Sequence, residues 1–317
     1  MVTSKGVGLA VPDWPTTFGY NMFLFPISKW IGGIFFEHAH RLIASVIGFL
    51  TIIVAVWLWR ADARPWVRIL GVAALGAVIL QGVLGGLRVT LLKDQIGIFH
   101  ACLAQAFLGL LVVIALATSS RWTALGQVVN GAGARRVARI AVVTCLAIYL
   151  QLALGATMRH QHRDLAILDF PTANGQWIPD TSPAALAAIN ARRDAQALSD
   201  VNAFQIWLQM AHRFGAVIVA IATIALWSGI RRTRLHVSPV PFLSNLLVGL
   251  VICQIGLGAW TIWSNKAADI ATAHVAVGAT IFAITVAVCM VCYRISYIRS
   301  ISPPPERAVE AGLAVAL

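Results

Sequence analysis

The sequence predicts an all-α, polytopic membrane protein made of two tandem, pseudo-symmetric helix bundles. Three observations carry that expectation. Composition comes first: 59% of the 317 residues are hydrophobic and only 11% are charged, which is not the balance of a soluble chain. Second, the chain holds seven apolar runs, each of about twenty residues, long enough to cross a bilayer as helices. Third, an ordered set of polar positions occurs twice along the chain, the signature of a duplication.

Charge and cysteine usage narrow the class. The net charge is +12, yet most of the positive residues lie in short connections between apolar runs, a pattern that orients a membrane protein and does not point to nucleic acid. Cys102, Cys145, Cys253, Cys289 and Cys292 all lie inside apolar runs, so neither a disulfide framework nor a zinc site is expected. The first residues, Met1 to Gly6, carry no apolar core, and no cleavable signal is read there.

Taken in order, residues 1–36 are a loop rich in Gly, Pro and aromatic residues, including Pro12-Asp13-Trp14-Pro15. Apolar runs then cover 38–59, 67–87, 97–118, 139–157, 205–229, 240–262 and 270–293. Thirteen Lys and Arg residues fall on one side of this array and nine on the other, four of the nine within the long loop 158–204. Long loops count little in the charge rule, so the start of the chain is expected outside and its C-terminus in the cytoplasm, with the spans in an inner (plasma) membrane. Within the loop, Ser182-Pro183 reads as a helix start followed by an Ala-rich stretch to about Leu198. The tail after Pro303 is expected to be disordered.

The duplication is explicit. His40-Arg41 returns as His212-Arg213 after 172 positions, Gln81 with Gly85 as Gln254 with Gly258 after 173, and His100 as His274 after 174. Upstream, Leu9-Ala10, Asp13 and Pro15-Thr16 match Leu165-Ala166, Asp169 and Pro171-Thr172 after 156. These matches divide the chain into a first bundle (1–118), a cytoplasmic linker (119–138), a second bundle (139–293) with its outer loop 158–204, and a cytoplasmic tail (294–317). Four runs in the second half against three in the first predict that the first bundle lacks its opening helix, with an upstream in-frame stretch of about twenty apolar residues to supply it.

Chemistry concentrates at one end of the runs. Glu37, His40 and Arg41 fall at i, i+3 and i+4 and share one helix face, whereas His38 points elsewhere and is read as a headgroup-region side chain. His40, His100, His212 and His274 each precede an apolar run that ends in an arginine 19 to 21 residues later (Arg60, Arg121, Arg231, Arg294). At a rise of about 1.5 Å per residue this is roughly the hydrocarbon thickness, so all four lie at one depth near the outer face. Two per half, on the first and third runs, suit a cofactor held between facing helices. Paired neutral imidazoles fill both axial positions of a haem iron, while zinc or copper would need further ligands. Proton relay is the competing idea, but it leaves the pairing by half unexplained. His160, His162 and His236 are read as solvated loop histidines. Arg41, Arg88 and Arg213 are candidates for bidentate contacts to haem propionates.

From Gly8-Leu9-Ala10-Val11-Pro12-Asp13-Trp14-Pro15 through Glu37-x-x-His40-Arg41 and Gly85-Gly86-Leu87-Arg88 to His274, the chain resembles the haem A synthase family. The resemblance implies an eight-helix enzyme of two four-helix bundles. It would oxidise the C8 methyl of haem O to a formyl group by two successive hydroxylations, making haem A for cytochrome oxidase. It implies His40 and His100 as ligands of the substrate haem, His212 and His274 as ligands of a haem b, and Glu37 as catalytic. The partners it implies are haem O, haem O synthase, an unidentified electron acceptor or donor, the lipid bilayer and further copies of the chain. Two departures stand out: the opening helix, and a cysteine pair that some members carry in their outer loops.

Within the Glu37-x-x-His40-Arg41 motif the repeat keeps the His and the Arg, but Glu37 becomes Gln209. Gln keeps the shape but cannot carry or lose a proton, which makes the first half the expected reaction site. A di-haem membrane carrier of the cytochrome b type, without chemistry of its own, is the alternative. A transporter built from repeats is disfavoured, because its polar groups should lie near the midplane.

Overall fold

The computed structural model describes residues 10–125, 133–161, 165–233 and 239–301. Of the Lys and Arg residues counted above, Lys5, Arg163, Arg234 and Arg307 lie outside the described residues, as do Gly8, Leu9, His162, His236 and the stretch after Pro303. Two short 3-10 turns, Met22–Leu24 and Ile27–Lys29, precede the first long helix. The helices are α1 (Gly33–Ala61), α2 (Pro65–Leu91), α3 (Asp94–Ala117), α4 (Ser120–Leu125), α5 (Ala134–Gln161), α6 (Pro183–Asp194), α7 (Ala203–Arg232), α8 (Val240–Trp263) and α9 (Ala268–Ile301). Among the described residues there is no strand beyond two isolated bridges.

Seven of these helices are long and apolar enough to span a membrane, one for each apolar run. Their ends follow local chemistry. Pro65 opens α2, where a missing N–H costs nothing. Asn202 and Gln205 form a reciprocal capping box at α7. The Ser182 side chain accepts the Ala185 N–H ahead of Pro183 in α6, and that helix stops at Asp194, short of the expected Leu198. The helix α1 starts at Gly33, a turn before its apolar run, because Glu37 and Arg41 neutralise one another at i, i+4 inside it.

Packing sets two connected groups. In the second half α5 lies between α7 and α9, with α8 bridging α7 and α9. Their shared core holds Val137, Ile148, Leu226, Ile230, Leu247, Ile281, Phe282 and Ile295. In the first half α2 packs between α1 and α3 around Leu58, Val67, Ala74, Phe107 and Ile114. The helix α3 also packs on α5 and α9, and there a Cβ at Gly109 would sit 3.0 Å from the Phe282 ring. Large apolar side chains such as Phe49, Leu146 and Ile218 are exposed on the outside of the bundle, as a lipid-facing surface requires. Chain segment 165–202 folds over one end with its own small core of Ala166, Ile167, Ala173, Ile189 and Val201, closed by Ile206 and Met210 of α7.

Candidate functional site

The N-terminal ends of α1 and α7 are each tied to a preceding loop by the same set of contacts. In the first half, Glu37 Oε2 accepts the Val11 N–H at 3.1 Å, and its Oε1 pairs with Arg41 Nη2 at 2.9 Å. Arg41 reaches further, donating to the carbonyls of Val11, Asp13 and Thr16 at 3.0, 2.7 and 3.0 Å. In the second half, Gln209 accepts the Ile167 N–H at 2.9 Å and donates to the Ile167 carbonyl at 3.1 Å. Arg213 donates to the carbonyls of Asp169 and Thr172 at 2.6 and 2.8 Å. The repeat read from sequence is therefore also a repeat of hydrogen bonds.

Each loop is closed by its own aspartate. Burial raises the Asp13 pKa, but hydrogen bonds from the Gly19 N–H, the Thr16 hydroxyl and the Phe18 N–H together hold it below the usual carboxylate value. Asp169 follows the same pattern: burial raises it, while the Gly175 N–H, the Thr172 hydroxyl and the Asn174 N–H bring it below.

His38 departs from its expected headgroup position. It is fully buried, with Nδ1 3.3 Å from the Thr17 hydroxyl and its ring packed on Trp30 and Phe25 at 4.7 and 5.1 Å. The loop folds back over the helix end, and this contact could not be read from spacing. Trp14 of the same loop lies on Gly86, where a Cβ would run into its indole ring.

The four spaced histidines sit at the same end of their helices, and three of them rest on a glycine of a neighbouring helix. A Cβ at Gly85 would lie 3.3 Å from His100 Cε1, at Gly155 3.2 Å from His212 Cε1, and at Gly258 3.2 Å from His274 Cε1. In the second half the structure brings His212 and His274 together, with ring centroids 6.4 Å apart and planes at 64°. Two metal–imidazole bonds of about 2 Å, plus the distance from each nitrogen to its ring centre, span roughly that separation. Gln151 Nε2 donates to the His212 carbonyl at 2.8 Å and Gln254 Nε2 to the His274 carbonyl at 2.9 Å, steadying both helix turns. Nδ1 of His100 and of His274 is buried without a hydrogen-bond partner. Among the described residues no group of three or more His, Cys, Asp or Glu could hold a metal ion. The paired imidazoles are donors that would suit the axial positions of a haem iron.

In the first half His40 is exposed and His100 is partly buried, and the two lie close enough to interact electrostatically. Arg88 interacts with both and also with Glu37, so four of the candidate residues converge there. His160 adds to this group unexpectedly. The helix α5 runs four residues past the expected end of its run at 157, and this carries His160 against Gly97, where a Cβ would sit 2.8 Å from its ring. There it interacts with Arg88 and Arg159. The small residue Gly97 was the available sequence signal, but nothing in the spacing linked it to a residue in the other half.

Two of the candidate propionate contacts, Arg41 and Arg213, also anchor the loops. The hydrogen bonds described for the Arg41 and Arg213 guanidiniums all go to loop carbonyls and, for Arg41, to Glu37.

Comparison with known proteins gives this geometry its context. Residues 25–286 match the family model COX15-CtaA, described as cytochrome oxidase assembly protein. A protein of Shouchella clausii (strain KSM-K16) named "Heme A synthase" is 31% identical, over 71% of this chain and 75% of the relative. Proteins of the same name from Rhizorhabdus wittichii and Shewanella oneidensis are 28% and 26% identical. Their alignments cover 78% and 84% of this chain, and 69% and 83% of those relatives. A match across most of the chain that takes in all four spaced histidines decides the matter, and the chain belongs to the COX15-CtaA family of cytochrome oxidase assembly proteins.

Proposed function

We propose that this multi-pass membrane protein is a haem A synthase that oxidises the C8 methyl of haem O to a formyl group by two successive hydroxylations. The observation that carries the reading is the pairing of four histidines by half at one end of the helices, in a chain of this family. In the first half, His40 and His100 hold the iron of the substrate haem O. Arg88, half-buried and without an ion-pair partner among the described residues, takes a propionate. Arg41 and Arg213, committed to the loops, contribute their positive charge at a distance.

Glu37 is the group that accepts and returns protons, since turning a methyl group into an aldehyde removes protons along with electrons. Its burial beside Arg41 keeps bulk water away from that exchange. In the second half, His212 and His274 hold a haem b, which supplies a one-electron relay when bound. The histidine end faces outward across the plasma membrane and the C-terminus is cytoplasmic, as the distribution of Lys and Arg supports. Haem O synthase delivers the substrate, a separate electron acceptor or donor completes the cycle, and the chain self-associates.

Pigment extraction tests the reading. Membranes that hold this chain together with a haem O source should yield haem A. Haem b alone, with haem O unconverted, would instead identify a di-haem carrier, the reading that the family and its named relatives favour less.

A further inference from the structure

The end of the bundle opposite the histidines holds a polar cleft. It measures about 390 Å³, and its lining includes Arg64, Trp66, Thr118, Ser119, Trp122, Thr123 and Arg294. Residues from the start of α2, the end of α3, the short helix α4 and the end of α9 meet there. Its two indole rings stand 6.0 Å apart, and each carries a guanidinium, with Arg64 Cζ 5.3 Å from the Trp66 ring and Arg294 Cζ 5.0 Å from the Trp122 ring.

The two arginines differ in what holds them. Arg64 spends Nε and Nη2 on Asp62, at 2.9 and 2.6 Å. Arg294 has no hydrogen bond or ion pair among the described residues, and its Nε is buried without a partner. A buried N–H on a permanent cation costs free energy unless an acceptor reaches it. The Thr118 and Ser119 hydroxyls give their protons to backbone carbonyls at 2.8 and 2.7 Å, leaving their oxygens turned to accepting. Arg68 donates to the Asp62 backbone carbonyl at 2.6 Å, so the positive charges of Arg68 and Arg294 add to a cleft in which the Asp62 carboxylate is bonded by Arg64.

We infer that this cleft binds the headgroup phosphate of an anionic phospholipid, with Arg294 as its principal contact. Basic pockets between membrane helices near the interface take anionic headgroups, and tryptophans at that depth hold the glycerol and upper acyl region. The surplus of positive charge selects an anionic lipid over a zwitterionic one. The site lies a membrane thickness away from the histidines and does not depend on the reading of their chemistry.

Native mass spectrometry of the full chain tests the inference, with the protein released from detergent containing equal amounts of phosphatidylglycerol and phosphatidylcholine. The parent should retain phosphatidylglycerol in preference. Arg294→Gln should retain roughly tenfold less, the loss of one charge-assisted contact. Thr123→Glu, a change at an exposed rim position that leaves the core untouched, should lower retention similarly by repulsion. Equal retention of the two lipids by the parent would overturn the proposal, as would undiminished phosphatidylglycerol on both variants. Displacement of the lipid by inorganic phosphate at matched concentration would assign the site to a free anion and overturn it too.

Discussion

At Glu37 and Gln209 two side chains of nearly the same shape do the same anchoring job, each accepting the backbone N–H of a matched loop residue. Their second contacts differ. The Gln209 amide reaches the Ile167 carbonyl itself, whereas in the first half Arg41 makes the bond to the Val11 carbonyl and Glu37 holds Arg41. An amide at position 37 can thus keep the loop in place, and Arg41 retains three carbonyl partners without the carboxylate. Glu37→Gln should leave the helices and both haem sites intact while lowering haem A formation by about 10²–10⁴-fold, the usual worth of a proton-transfer group. Haem A extracted at the parental rate would reduce Glu37 to a loop anchor. The sequence disclosed the Glu-to-Gln difference but not the loop each side chain holds, because that contact spans 26 residues in one half and 42 in the other.

Between helices, glycine decides how closely an imidazole can sit. Replacing glycine by alanine in a helix interior ordinarily stabilises it by about 1 kcal/mol. At Gly258 the new methyl would press on His274, 3.2 Å from Cε1, so helix stability and haem binding are expected to move in opposite directions. Gly258→Val, with a larger side chain, should keep the melting temperature within a few degrees of the parent and lose most of the haem from the second half. The haem-to-protein ratio measures this, and full haem content in the valine variant would show that His274 does not need the space. Helix number was legible from the apolar runs, since each run is as long as the membrane is thick. Helix ends were less so: α1 gains a turn from its internal ion pair, and α5 runs on to Gln161 through the polar Arg159 and His160.

Across the whole molecule, two similar halves meet along α3, which packs on both α5 and α9. If each half holds its own haem, damage should stay local. His212→Ala should remove haem b and leave haem O bound, whereas Arg88→Ala should weaken haem O binding about tenfold, one charge-assisted contact, and spare haem b. Difference spectra of the two variants titrated with haem O read both outcomes, and loss of both haems from either variant would mean that the sites are coupled through the α3 contacts.

The sequence by itself determined the number of spans, the internal duplication and the common depth of the four histidines. These are properties along the helix axis, where 1.5 Å per residue converts spacing directly into position. Which side chains meet across the chain was decided only in three dimensions. His38 goes under the loop, Arg41 and Arg213 go to loop carbonyls, and His160 crosses from the second half to Arg88. Such contacts depend on how loops fold back and how helices rotate against one another, and no periodicity along a single helix records either.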